Sequence, residues 1–66
     1  MKQSTVNEIW RMRKYGIRSE QDKKNLWAAY RDIFGKYPKG DYNSITCSVC
    51  VTESFWEAFE AVNNNH

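Results

Sequence analysis

The chain lacks nearly everything that would announce a chemistry. It has one histidine, His66, one proline, Pro38, two cysteines and three glycines. Nothing in the pattern sets His66 beside a nucleophile, and no carboxylate pair stands in a recognisable setting, so catalysis has no supporting residues. Gly16, Gly35 and Gly40 are each explained by a turn, which leaves no glycine-rich phosphate loop. Two cysteines are too few for a disulfide scaffold. No apolar run approaches the ~20 residues that span a bilayer; the longest stretches are 26–30 and 45–51. Met1-Lys2-Gln3-Ser4-Thr5 has a charge but no apolar stretch behind it, which is not the pattern of a secretory signal. These absences predict a non-enzymatic protein without a cofactor, not in a membrane, in the cytoplasm and with reduced thiols.

Chain length is scarce too. A domain of 66 residues buries only ~60% of its unfolded surface and is marginal without help from packing, a metal or a second copy. What the chain does have is aromatics: three Trp, four Tyr and three Phe. Each can bury ~150–250 Å², and together they exceed what a three-helix core of this size can hide. Some should therefore lie at an interface. Charge is polarised as well. Lys2, Arg11, Arg13, Lys14, Arg18, Lys23 and Lys24 face only Glu8, Glu20 and Asp22 in the first 24 residues, while the remainder is acidic. Such asymmetry steers an anionic partner to the front, or makes the chain self-complementary.

Periodicity predicts an all-α, compact three-helix domain spanning 1–66, with room for a short extended segment before the last helix. Thr5-Val6-Asn7-Glu8 fits a capping box, with Val6, Ile9 and Trp10 following at helical spacing, so the first helix should run over about 5–15 and stop at Gly16. Ser19 is a good N-cap, and Leu26, Trp27, Tyr30, Ile33 and Phe34 form an apolar stripe, giving a helix over about 20–34 that ends at Gly35. Trp27 belongs to the core on this pattern. Residues 36–44 read as a loop. The β-branched run 45–51 could be a strand, but Cys47, Cys50, Val51, Phe55, Ala58, Phe59 and Val62 keep one helical stripe. The stripe favours a third helix over about 46–62 capped by Ser44 or Thr46, with 63–66 frayed.

Four constellations carry functional candidates. Cys47-x-x-Cys50 has the spacing of a zinc half-site, but a tetrahedral site needs four ligands and the chain offers only His66 besides, so zinc would require cysteines from both chains of a homodimer. A redox pair would place one thiol at a helix N-terminus, where thiolate is favoured. The plain expectation is that both cysteines are small core hydrophobes on the apolar stripe. Second, Arg11, Arg13, Lys14 and Arg18, interleaved with Trp10 and Tyr15, could grip phosphates and stack on unpaired bases. A helix-turn-helix reading fails because the third helix carries Glu53, Glu57 and Glu60, which phosphates would repel. Third, those three glutamates make an acidic face suited to a basic surface on a partner. Fourth, Trp56 lies near that polar side, and an exposed tryptophan is a typical interface anchor.

Tyr30-Arg31, then Phe34-Gly35-Lys36, Pro38, and Cys47-x-x-Cys50 leading into a helix resemble short proteins encoded by tailed bacteriophages. The resemblance covers about residues 26–60, with a longer stretch between Pro38 and Cys47 than that pattern has. It implies a phage setting, in the host cytoplasm or the virion, and a role as a virion accessory component or an inhibitor of a host protein. The function expected from the chain is thus a small helical protein–protein interaction module, which could form a homodimer. Its binding residues would be Trp10, Arg11, Arg13, Lys14, Tyr15, Trp56, Glu53, Glu57 and Glu60. A nucleic-acid binder and a dimeric zinc protein are the alternatives.

Overall fold

Three α-helices carry the fold: α1 (Gln3–Tyr15), α2 (Glu20–Phe34) and α3 (Ser48–Asn64), each packed on the other two. The computed structural model describes residues 1–64. Asn65 and His66 lie outside the described residues, and with them part of the expected fraying and the only histidine. Among the described residues there is no strand, and no helix is long and apolar enough to cross a membrane.

The start of α1 departs from the capping box read at Thr5. The helix begins at Gln3 with Lys2 at the cap and no local side chain bonded there. Thr5 is buried within the first turns, and its hydroxyl donates to Asp32 Oδ2 at 2.7 Å. The same oxygen accepts the Lys2 amide at 3.0 Å. The amide of the cap residue, which a Glu or Gln at the third helical position accepts in a capping box, is met here by a carboxylate from the far end of α2. Glu8, the other half of the expected box, turns to Arg11 and Asn25 instead.

α2 follows its sequence signals closely. Ser19 Oγ accepts the Asp22 amide at 3.1 Å, and Asp22 Oδ2 accepts the Ser19 amide at 3.3 Å, a complete capping box. Asp22 also accepts from the Arg18 amide at 3.0 Å and from Arg11 at 2.9 Å, which ties the end of α1 to the start of α2. At the other end Gly35 sits at φ 78°, a left-handed C-cap, and its amide donates to the Arg31 carbonyl at 2.8 Å.

The segment read as a loop is folded into two single 3₁₀ turns, Pro38–Gly40 and Tyr42–Thr46. Ser44, expected as a helix cap, bonds backward: its hydroxyl lies 2.8 Å from the carbonyls of both Pro38 and Asp41, to which its single proton can be donated. Thr46 likewise donates to the Asn43 carbonyl. Lys39 holds φ 61°, a left-handed conformation unusual for a side-chain-bearing residue. α3 therefore starts at Ser48, later than 46, and continues through Asn64, past the expected end at 62.

One core joins the helices. Ile9, Met12, Leu26, Trp27, Ala58 and Val62 are sealed or nearly so, with Tyr30, Val51 and Phe55 just beneath the surface. Trp27 is the largest fully buried side chain, and its Nε1 has no hydrogen-bond partner among the described residues. Phe34, placed on the α2 stripe by periodicity, is instead 40% exposed and packs on Tyr30 at 4.5 Å between ring centroids. The last residue of α2 has run past the edge of the core.

Two expectations follow. Trp27→Ala should cost about 3–5 kcal/mol, comparable to the roughly 3–10 kcal/mol a domain of this length has in total, so its urea transition should lose cooperativity. Trp27→Phe should cost much less, since it keeps most of the ring and removes an unpaired N–H. Equal costs for the two variants would contradict the packing described.

The second expectation concerns acid. The Arg18 amide and then Arg11 hold the Asp22 carboxyl below the usual carboxylate range, and the Lys2 amide and then Thr5 do the same for Asp32. A carboxyl with a depressed folded-state pKa stabilises the fold fully above the ordinary aspartate value. That contribution is lost as pH falls through the ordinary range towards the depressed one. The urea midpoint should therefore fall between neutral pH and about pH 2, and Asp22→Asn with Asp32→Asn should flatten the fall. An acid limb unchanged in the double variant would be the opposing result.

Candidate functional site

α1 and α3 lie side by side, and each contributes one turn of aromatic or basic side chains to a shared outer face. Trp10 and Arg13 are three residues apart on α1; Trp56 and Phe59 are three apart on α3. Spacing of three puts each pair on one side of its helix. The ring of Trp10 meets Phe59 edge-on at 5.0 Å, and Phe59 meets Trp56 edge-on at 5.9 Å. The Arg13 guanidinium lies over both, 5.7 Å from the Trp56 ring centre and 5.9 Å from that of Phe59. Exposed cation–π contacts of this kind contribute about 0.5–1 kcal/mol, enough to hold a long side chain flat. Arg13 has no carboxylate partner among the described residues.

The face is wet. Trp10 is 40% exposed and Trp56 51%, while Phe59 is half-buried beneath them. Beside Trp56 opens a cleft of about 440 Å³ between the end of α1, the start of α2 and the first turns of α3. Its floor is apolar, made by Met12, Ile17, Val51 and Phe55, and Arg13 and Lys23 stand at its rim. Lys23 is paired with Glu20 at 3.2 Å, so Arg13 is the more available cation. Chemically the arrangement offers a flat aromatic surface, an apolar slot and one positive charge. The other polar side chains in the cleft lining are the hydroxyls of Ser48 and Thr52 and the Lys23 ammonium.

The other residues singled out from sequence fall elsewhere. Arg11 is partly exposed and engaged within the fold, bonded to Glu8 and Asp22, and these carboxylates push its pKa up further. Tyr15 is 56% exposed at the end of α1 with the Lys14 ammonium 5.2 Å from its ring centre. Glu57 accepts the Tyr30 hydroxyl at 2.9 Å; burial, then this bond, pushes that phenol up to about 12. Glu53 lies 3.8 Å from Lys39. Glu60 remains exposed, beside Glu57 and Phe34. The three glutamates therefore do not act as one row: one is tied into the fold, one is paired with a turn lysine and one faces water.

The cysteines are not core hydrophobes. Cys47 is exposed and Cys50 half-buried, because α3 starts one residue after Cys47 and leaves it outside the helical stripe. Among the described residues no group of three or more His, Cys, Asp or Glu gathers as a metal site. The two thiols are half of a tetrahedral set.

Sequence reasoning placed Phe59 on the buried stripe and missed its part in the face. The available signal was its spacing of three from Trp56, which puts it between that residue and the core. No family model matches the chain, and neither a curated protein nor a solved structure matches it.

Proposed function

We propose that the chain is a small, non-enzymatic interaction module that docks a protein partner on the α1/α3 face. The observation that carries this reading is the packing of Trp10 and Trp56 on Phe59, with Arg13 lying over the Trp56 and Phe59 rings. Tryptophan and arginine dominate the energetics of protein interfaces, because a large rigid ring and a delocalised cation gain most when water is excluded. Half-exposed Trp56 leaves apolar surface open next to an apolar cleft. A partner that places an apolar side chain in the cleft and a carboxylate against Arg13 would satisfy both features.

The phage resemblance gives this module a setting, as a virion accessory component or an inhibitor of a host protein. A second copy of the chain is the simplest partner and remains within the proposal. Nucleic acid is less well supported. Arg11 is already neutralised within the fold and Arg18 donates to the Tyr15 carbonyl at 3.0 Å, which thins the cationic front.

Site-specific photo-cross-linking in the expressing cell tests the proposal. A photoreactive phenylalanine analogue at Thr52, exposed on α3 and lining the cleft beside Trp56, should give a discrete protein adduct, and the same analogue at Ala28, exposed on α2, should not. Trp56→Ala and Arg13→Ala should each weaken the adduct from residue 52. An adduct of twice the chain mass identifies a second copy. Identical products from residues 52 and 28, or an adduct indifferent to both substitutions, would defeat the reading.

A further inference from the structure

Cys47 and Cys50 stand where the fold makes two thiols unequal. Cys47 is the residue immediately before α3, and its Sγ accepts the Cys50 amide at 3.3 Å, so a sulfur occupies the capping position that an oxygen usually holds. Cys50 lies one turn further in, half-buried, on the same side of the helix start. The first thiol is open to solvent and the second is partly covered. Neither is needed to fill the core, and no third metal ligand joins them among the described residues.

We infer that Cys47 and Cys50 form a reactive dithiol that small-molecule disulfides oxidise, reversibly, to an intramolecular disulfide, with Cys47 as the attacking sulfur. In the first step the Cys47 thiolate attacks one sulfur of the small disulfide. The S–S bond of that molecule breaks, one half leaves as a thiolate and takes up a proton, and a mixed disulfide remains on Cys47. In the second step Cys50 loses its proton and attacks Cys47 Sγ. The remaining half departs as a thiol, and the protein disulfide closes. The chain is oxidised by two electrons, and one small disulfide is reduced to two thiols.

The electrostatics divide the roles in the same sense. The Cys47 thiol is pulled below its ordinary value by the hydrogen bond with the Cys50 side chain and then by the Cys50 amide. Cys50 is pushed up by the same thiol contact and by burial. Glu53 opposes thiolate at both positions, while Lys39, held in its left-handed turn, favours it at Cys50. A stabilised Cys47 thiolate is also a good leaving group, so the disulfide is readily reduced again. The pair brackets Ser48, which lines the cleft beside Trp56.

The test uses the full reduced chain with glutathione disulfide, metal and air excluded, quenched by alkylation and read by intact mass. The wild type should lose two hydrogens and carry no glutathione at completion. Cys50→Ser should stop at a single glutathione on Cys47. Cys47→Ser should form its adduct at least about tenfold more slowly, since the remaining thiol is partly covered and less ionised. Serine is itself a good cap, so Cys47→Ser should keep the helical circular dichroism of the parent. A wild type that stays reduced, one that ends with glutathione on both cysteines, or equal rates for the two variants would overturn the inference.

Discussion

Burial of Trp27 is the constraint on which the rest of the structure depends. Three short helices can close around one large ring, and they close around this one completely. Ile9 and Met12 from α1, Leu26 beside it on α2, and Ala58 and Val62 from α3 complete the seal. A chain of 66 residues has no second interior in which to hide another indole. Trp10 and Trp56 are consequently left on the outside, and the question of function becomes the question of what covers them.

The three helices meet along seams of different chemistry. The α1/α2 seam is closed by charge. Asp32 holds the start of α1, Asn25 reaches Glu8, and Asp22 gathers Arg11, Arg18 and Ser19 at the other end. Exposed pairs of this sort add little stability individually, but each specifies which residues face each other. The outer face of α1 and α3 is closed instead by rings stacked edge to face, with Arg13 lying over them. Satisfied charges make the first seam indifferent to partners. On the proposed reading, half-covered aromatics make the second face the one that receives a partner. The positive front read from composition is thereby divided: Arg11 serves the fold and Arg13 serves the face.

Much of this was legible in the sequence where the signals are local. The Ser19 cap, the Gly35 stop and the Trp27 stripe depend on spacing within one helix, and the surplus of aromatics on composition alone. The readings that failed depend on neighbours distant in the chain. Thr5 looked like a cap because nothing in its own segment reveals that Asp32, 27 residues on, supplies the acceptor. Ser44 and Thr46 looked like caps for α3, but the 3₁₀ turn uses their hydroxyls first. Cys47 then takes the capping position and leaves the core, so the plain reading of both thiols fails together with the helix boundary. That Trp10 and Trp56 share Phe59 is a fact of the α1/α3 packing, which no periodicity within either helix contains.

The central claim is that one tryptophan is sealed for the fold and two are kept at the surface for a partner. The indole N–H signals of an isotopically labelled chain test it in one spectrum series. The Trp27 signal should resist solvent exchange as strongly as the core amides, while that of half-exposed Trp56 exchanges much faster. On adding the cross-linked partner, or on raising the chain's own concentration if that partner is a second copy, the Trp10 and Trp56 signals should move and the Trp27 signal should stay. Three indoles protected alike, or a partner that shifts the Lys24 and Ala28 surface of α2 and leaves Trp10 and Trp56 untouched, would contradict the account.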